Sequence, residues 1–292
     1  MKTLKKNSGF LYVLPSFILI LAFSVIPLFM TGYYSFTKYN VVNPPEWVGL
    51  QNYTSLLNDA FFKASVKNTL IYTVVVVPLQ TMVSVFLADI IANRFRNRFG
   101  NIIRSALFIP VISSMILVGT VWKFLLATDT GLINNIITAL GLKGPNWLGT
   151  QTLAMVSICI VSIWKNVGYF LVIYYAGIMD IPRSYYEAAE VDGATRWQQF
   201  RFITLPCLKP ITYLVVTLGT IWSFQVFDLV FTMTGGGPGR STLTMVLIIY
   251  QYAFKQYKMG YACAVSLVLL VLVLVVSLIQ KRIFKDKEGD NA

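Results

Sequence analysis

Six long apolar segments constrain the fold of this chain more than any other feature of its sequence. Each is long enough to cross a bilayer core about 30 Å thick, which takes roughly 20 apolar residues in a helix. Only 12% of the chain is charged, against about 25% in soluble domains. We therefore predict an all-α, polytopic membrane protein in a single domain, residues 1–292. The six predicted transmembrane helices cover about residues 10–36, 68–92, 104–127, 152–178, 210–234 and 260–284.

The first apolar segment follows a short basic start, MKTLKKNSGF. A secretory signal peptide has an apolar core of about 7–15 residues and a small-residue cleavage site. The run from Phe10 to about Phe36 is longer than that, and no clear A-x-A pattern follows it. We therefore expect an uncleaved first helix.

The distribution of Lys and Arg between the segments predicts the orientation of the chain. Cytoplasmic loops carry an excess of these residues. One side holds Lys2, Lys5, Lys6, Arg94, Arg96, Arg98, Arg104, Arg183, Arg196, Arg201, Lys209, Lys281, Arg282, Lys285 and Lys287. The other side holds only Lys38, Lys63, Lys67, Lys143, Arg240, Lys255 and Lys258. Both termini are therefore predicted to be cytoplasmic, with outer loops at about 37–67, 128–151 and 235–259.

Several kinds of site are disfavoured by the residue types that are present. The chain has no His, and its three cysteines include no CxxC pair, so neither a His/Cys metal site nor a disulfide framework is expected. Its net charge of +12 lies in short loops beside apolar runs, which does not indicate nucleic acid. The segment 234–241 superficially resembles a phosphate-binding loop, but it has Thr234 and Arg240 where that motif needs Gly and Lys.

The longest predicted cytoplasmic loop, residues 179–209, has the pattern of two short helices. Ser184 and Glu187 fit a capping box, and Asp192-Gly193 supplies a stop. A second helical stretch is expected over about Thr195 to Thr204. The first helix would expose a small Ala face between acids, which suits docking into a groove of a partner. An ordinary loop with one amphipathic helix fits the same pattern.

This loop resembles the EAA loop of binding-protein-dependent ABC importer permeases. The matching residues are Glu187-Ala188-Ala189, Asp192-Gly193-Ala194, Phe200, Ile203 and Leu205-Pro206. Trp47 to Tyr53, Phe227 to Val230 and Thr234 to Pro238 resemble the carbohydrate branch of that family, the oligosaccharide, maltose and glycerol-phosphate type. The resemblance implies a type I ABC importer permease fold in a bacterial cell membrane.

The same resemblance implies how the chain works and with which partners. It would form half of a sugar pore beside a second related permease, two cytoplasmic ATPase subunits and an external solute-binding protein. ATP and Mg²⁺ would bind the ATPase subunits, and this chain would be no enzyme. Its coupling helix would sit in an ATPase cleft. The implied coupling residues are Glu187, Ala188, Ala189, Asp192, Gly193, Ile203, Leu205 and Pro206.

Polar residues inside membrane segments are costly unless they are paired or face water, so they are candidates for a substrate path. The ionisable ones are Asp89, Lys123, Lys165 and Asp228. Asp89 and Lys165 are expected near the cytoplasmic half or its interface, and Lys123 closer to the outer end. Snorkelling or a structural pair is the alternative explanation for all three. Aromatic rings beside amides and carboxylates suit sugars. On that basis the candidates are Asn166, Tyr169, Phe224, Gln225, Phe227 and Asp228, with Gln225 and Asp228 expected on one helical face.

Two other functions stay open from the sequence alone. An ion-coupled secondary transporter of small polar solutes normally has midplane acids, broken helices and repeated halves. A membrane-embedded enzyme needs a cluster of His, Cys or acidic residues. The few acids and the absence of His weigh against both.

Overall fold

The computed structural model describes the backbone of residues 4–95 and 97–284, with side chains from residue 12 onward except at residue 96, and it is mostly helical. In chain order the first elements are α1 (Leu4–Ile20), α2 (Ile26–Ser35), β1 (Thr37–Lys38), β2 (Glu46–Trp47), α3 (Gln51–Asn58), α4 (Ala60–Arg94), α5 (Arg98–Ile112) and α6 (Met115–Leu125). The remaining elements are α7 (Leu132–Ala139), α8 (Gln151–Met179), α9 (Arg183–Val191), α10 (Arg196–Gln199), α11 (Leu205–Cys207), α12 (Lys209–Phe224), α13 (Asp228–Met233), α14 (Met245–Tyr250) and α15 (Met259–Phe284).

Four helical stretches in the described residues are long and apolar enough to cross a membrane. They are Tyr12–Ser35, which includes a π-helical turn at Leu21–Val25, and Ala60–Arg94, Gln151–Met179 and Met259–Phe284. Two bent helix pairs raise the number to six if each pair is one span. The all-α, polytopic prediction is confirmed. Of the cations behind the predicted orientation, the side chains of Lys2, Lys5, Lys6, Arg96, Lys285 and Lys287 lie outside the described set.

The third predicted span, residues 104–127, is not one straight helix. It consists of α5 and α6, which meet at an angle of 97°. Ser113 and Ser114 between them have extended backbone, with ψ of 143° and 136°. Pro110 lies just before the break and removes one helical N–H. An apolar run shows no sign of such a break, because hydropathy averages over the two residues that make it.

The fifth predicted span, residues 210–234, is also interrupted. Its helix α12 ends at Phe224, and a short α13 begins at Asp228. At its other end α12 bends by 70° from the segment Arg196–Cys207. Pro210 lies in the first turn of α12, where its missing N–H costs no helical hydrogen bond.

The chain divides into two compact units. The first contains the described residues up to Lys63 together with Ile248–Val271, and the second contains Ala64–Leu247 and the segment from Leu272. In the first unit β1 and β2 pair antiparallel, and the Asn52 amide donates to the carbonyls of Ser35 and Thr37. That the chain forms one domain stays a prediction.

A half-buried carboxylate, Asp59, is the centre of a hydrogen-bonded cluster in the first unit. Asp59 accepts hydrogen bonds from the hydroxyls of Tyr252 and Tyr261. Burial raises the pKa of Asp59, but these hydrogen bonds and those from the backbone N–H groups of Phe61 and Phe62 outweigh it, so the net pKa lies below the ordinary value. The cluster therefore holds its negative charge at neutral pH.

The second unit has a core in which small residues of one helix meet large residues of another. Ala88 and Ala92 of α4 are fully buried beside Phe170 and Tyr174 of α8. Gly168 of α8 brings this helix against α5, because a Cβ there would lie 2.0 Å from the carbonyl oxygen of Leu107. Backbone contact this close is possible only without a side chain.

The segment 234–241 forms a compact turn in the second unit, as its Gly and Pro content predicts. The hydroxyls of Thr234 and Thr242 lie 2.7 Å apart and close the turn. The amide of Asn68 donates to the carbonyls of Arg240 and Leu243. The turn is thereby fixed to α4.

We expect Gly168→Ala to destabilise the fold, because its Cβ would meet the Leu107 carbonyl oxygen. Overpacking of this kind typically costs about 1–3 kcal/mol. Gly32→Ala is the matched control, since a Cβ there meets nothing within 4 Å. Thermal unfolding of both variants in one detergent measures the effect. Equal unfolding midpoints for the two variants would contradict the close contact between Gly168 and the Leu107 backbone.

Candidate functional site

The helix α9 of the predicted coupling loop begins two residues earlier than the sequence suggests, at Arg183 instead of Tyr185. Its N-cap is Pro182, with ψ of 130° and no side-chain cap. Ser184 is the second residue inside the helix, so the predicted capping box of Ser184 and Glu187 is wrong. The extended backbone of Pro182 already provides the turn into the helix.

The end of α9 lies where the sequence predicts it. Gly193 has φ of +74°, in the left-handed region that favours glycine. Its N–H donates to the Glu190 carbonyl at 3.1 Å, and the Ala194 N–H donates to the Ala189 carbonyl at 2.8 Å. This pair of bonds is the Schellman arrangement, which satisfies the last carbonyls of a helix.

The capping box of this loop lies one helix later than predicted. Thr195 accepts from the Gln198 N–H, and the Gln198 side chain accepts from the Thr195 N–H at 2.7 Å. The second predicted helix therefore begins as expected, and α10 runs into a π-helical turn, Phe200–Thr204, and then α11. The sequence already contains the signal for this capping box, because Thr195 and Gln198 have the spacing of the S/T-x-x-E/Q pattern.

The predicted coupling residues fall into an exposed group and a packed residue. Six of them are exposed: Glu187, Ala188, Asp192, Gly193, Leu205 and Pro206. Ala189 is half-buried, and Ile203 packs on the core of the second unit. No residue of α9 is buried. The Tyr186 hydroxyl lies 2.9 Å from the Thr204 hydroxyl and anchors α9.

Large apolar side chains surround the acidic residues of α9. Tyr185, Val191 and Trp197 are 54%, 88% and 60% exposed. The acidic residues themselves line a pocket of about 280 Å³, whose residues are Asn93, Arg183, Tyr186, Glu187, Glu190 and Arg196. Exposed apolar surface next to charged groups is typical of a protein docking surface.

A second candidate site is a polar cavity of about 150 Å³ in the second unit. It lies where α12 ends and α13 begins, and where α6 begins. Its lining residues are Tyr72, Gln80, Met115, Ser162, Asn166, Gly219, Trp222, Ser223, Gln225, Val226, Phe227, Asp228 and Leu229. The break after Phe224 exposes side chains that a continuous helix would turn away.

Four of the six predicted substrate-path residues line this cavity: Asn166, Gln225, Phe227 and Asp228. Gln225 and Asp228 do not share one helical face as predicted, because the helix is broken between them. The other two residues lie behind the wall. Tyr169 packs on Trp222 with ring centroids 5.0 Å apart, and Phe224 is buried at 1% exposure.

Sequence reasoning missed the polar residues that α4 contributes to the cavity. Gln80 is 1% exposed, and its Oε1 has no hydrogen-bond partner among the described residues. Gly219 makes room for its amide, since a Cβ there would lie 2.5 Å from Gln80 Nε2. Tyr72 donates to the Ser162 hydroxyl at 2.6 Å. The signal in the sequence is a Gln inside an apolar run.

The four ionisable candidates lie in different surroundings. Asp89 accepts from the Asn93 amide near the end of α4, and Lys123 is exposed in the last turn of α6. Asp228 is exposed at the first position of α13. Lys165 lies midway along α8 and is only 7% exposed. In the described part of the chain, no group of three or more His, Cys, Asp or Glu residues could hold a metal ion.

The comparison with known proteins agrees with this arrangement of helices. A family model described as the binding-protein-dependent transport system inner membrane component matches residues 80–288. The chain belongs to this family. It is a membrane permease, and the resemblance of its EAA loop is thereby confirmed at the level of the family.

Curated relatives of this permease match it over most of their length. It is 33% identical over 294 residues to the arabinooligosaccharides transport system permease protein AraP of Bacillus subtilis (strain 168), covering 98% of this chain and 91% of that protein. It is 34% identical over 254 residues to the trehalose/maltose transport system permease protein MalF of Thermococcus litoralis, covering 86% and 84%.

A solved structure shows the same fold. One chain of a bacterial alginate ABC transporter, in complex with alginate pentasaccharide-bound periplasmic protein, superposes on this permease with a TM-score of 0.86. The identity is 25%, and the match covers 97% of this chain and 98% of the other. The type I ABC importer permease fold is therefore the fold of this chain.

We expect Thr195→Ala to loosen the start of α10, because the Gln198 N–H loses its acceptor. Loss of an N-cap costs about 1 kcal/mol, or about fivefold in local opening. Ser184→Ala is the matched control, since Ser184 caps nothing. Hydrogen exchange of residues 195–204 measures the difference. Equal protection from hydrogen exchange in both variants would contradict the capping box of Thr195 and Gln198.

Proposed function

We propose that this permease forms half of the translocation pore of an ATP-driven bacterial carbohydrate importer. The observation that carries the proposal is its similarity, over nearly the whole chain, to permeases named for arabinooligosaccharides and for trehalose and maltose. These relatives favour an importer of this kind over an ion-coupled secondary transporter. Alternating access to the two sides of the membrane would move the sugar.

The exposed surface of α9 supports coupling to a separate ATPase subunit. In this proposal Glu187, Ala188 and Ala189 seat in a cleft of that subunit, and Asp192 and Gly193 end the docked helix. Ile203, Leu205 and Pro206 connect it to α12. ATP and Mg²⁺ bind two such ATPase subunits, so this chain performs no covalent chemistry. Binding of ATP would draw the coupling helices together and turn the pore outward.

The other partners follow from the same proposal. A second related permease completes the pore, and an extracytoplasmic solute-binding protein delivers the sugar. The alginate transporter supports this last partner, since it was solved with a periplasmic protein bound. Both termini and α9 lie on the cytoplasmic side of the cell membrane, as the distribution of Lys and Arg predicts.

The polar cavity supports a sugar path through this subunit. The sugar hydroxyls could form hydrogen bonds with the carboxylate of Asp228 and with three amides, those of Gln80, Asn166 and Gln225. Trp222 and Phe227 offer apolar ring faces. Tyr169 and Phe224 support this wall from behind rather than touching the sugar. The unpaired Gln80 oxygen is the acceptor that a substrate hydroxyl would satisfy.

We expect Glu187→Ala to weaken retention of the ATPase subunits by about tenfold, as loss of a charged group at the centre of an interface does. Co-purification from membranes through a tag on the permease measures it. Glu46→Ala is the matched control, an exposed Glu on a segment predicted to face outward. Normal ATPase yield with Glu187→Ala would count against the assigned docking surface.

We expect Gln80→Leu to lower sugar transport by about tenfold, because one hydrogen bond to the solute is lost in a buried site. Thr81→Val is the matched control. It removes the neighbouring buried hydroxyl, which does not line the cavity. Uptake of labelled maltose, trehalose, lactose and arabino-oligosaccharides into cells measures transport. Equal uptake by both variants would exclude Gln80 from the path.

A further inference from the structure

The break between α5 and α6 leaves backbone carbonyls at the end of α5 without helical partners. The last four carbonyls of any helix lack such partners. Here Pro110 O accepts from the Ser113 N–H, but Ser113 and Ser114 are extended and do not continue the helix. A helix C-terminus carries partial negative charge, and inside a membrane water cannot solvate it.

A buried Lys meets this helix end. The Nζ of Lys165 donates to the carbonyl oxygen of Val111 at 3.2 Å. Lys165 is 7% exposed and lies midway along α8, far from either helix end where its side chain could reach interfacial water. A cation in such a place is costly unless a group of opposite polarity faces it. The C-terminal end of α5 supplies that group, and the bond is charge-assisted.

The same face of α8 fixes α5 at a second point one turn further along. Gly168 follows Lys165 by three residues, so the two lie on one side of the helix. It brings the Leu107 backbone into contact with α8. The position of α5 against α8 is therefore set by a close backbone contact and by the bond from Lys165.

The second half of the bent span begins at the cavity. Met115, the first residue of α6, lines the cavity wall. Further along α6, Trp122 packs edge-on against Trp164 of α8, with ring centroids 5.5 Å apart. Any change in the bend at Ser113 and Ser114 would move Met115 relative to the wall that α8 provides.

We propose that Lys165 is a positioning residue for transport: its bond to Val111 fixes the bend of the third span and so the place of Met115 at the cavity. The geometric part of this proposal stands on the contacts alone. The part concerning transport rests on the proposed function. Lys165 itself does not line the cavity, so it acts through α5 and α6 rather than on the solute.

The bend can be measured without any substrate. Spin labels on the cysteines of Ile102→Cys in α5 and Phe124→Cys in α6, two positions whose native side chains are exposed, report the distance between the two halves of the bent span. The background replaces the native cysteines with Cys159→Ala, Cys207→Ser and Cys263→Ala. The full chain is purified in lipid nanodiscs with the subunits that it retains, and distances are read by double electron–electron resonance.

We expect Lys165→Met to broaden this distance distribution, since it keeps the length of the side chain but removes its charge and donors. Lys165→Arg keeps a cationic donor and should keep the narrow distribution. Lys123→Met makes the same chemical change at an exposed site of α6 and should have no effect. If Lys165→Met does not fold, Lys165→Gln replaces it with the same expectation. A distribution as narrow as that of the unmodified chain, in either neutral variant, would overturn the proposal.

Transport separates this proposal from the function on which it partly rests. Uptake of the same labelled sugars should fall about tenfold in Lys165→Met, as loss of a charge-assisted hydrogen bond predicts, and recover in Lys165→Arg. Retention of the ATPase subunits should not change, because α9 is untouched. A broad distance distribution with normal uptake would overturn the role in transport and keep the structural one. If the unmodified chain moves none of the sugars, the proposed function fails while the distance result still stands.

Discussion

Every backbone polar group inside a membrane must find a partner within the protein, and the architecture of this permease depends on that constraint. A continuous helix satisfies it automatically. Interrupted helices do not, and this chain has interruptions in its third and fifth predicted spans. Each interruption lies beside a group that compensates for it. At the first, the Lys165 ammonium meets the Val111 carbonyl. At the second, the Thr244 hydroxyl donates to the carbonyl of Val226 at 3.1 Å.

The interruptions are also what forms the polar cavity. Where α12 stops at Phe224, the backbone turns and presents Gln225, Phe227 and Asp228 to one space. Where α6 starts, Met115 reaches the same space. Irregular backbone at membrane depth is tolerated when it is buried in protein or lines a water-filled cavity. Under the proposed function, the features that cost stability are therefore the ones that form the path of a polar solute.

The sequence predicted the spans and the coupling segment because both depend on local signals. Apolar runs of more than 20 residues reveal helices, and Gly193 reveals a helix end whatever surrounds it. The breaks at Ser113-Ser114 and after Phe224 were not predicted, since two or three residues barely change the hydropathy of a run. Ser184 matched a capping pattern, but the backbone of Pro182 made it unnecessary.

Residues of the cavity were harder to predict, because they depend on tertiary packing. Asn166 and Tyr169 lie three apart on α8, yet only Asn166 faces the cavity while Tyr169 packs on Trp222. Gln80 comes from α4, far away in sequence, and the place of its amide depends on Gly219 of α12. No local pattern encodes such a meeting of helices.

The joint between α9 and α10 has a mechanical consequence. Each helix closes its own end, α9 through the Schellman bonds at Gly193 and α10 through Thr195. No neighbouring atom lies within 4 Å of the position that a Cβ of Gly193 would take, so there is room at this joint for the angle between α9 and α10 to change. A displacement of α9 would therefore reach the segment that leads into α12 through the contact between the Tyr186 and Thr204 hydroxyls as well as through the backbone.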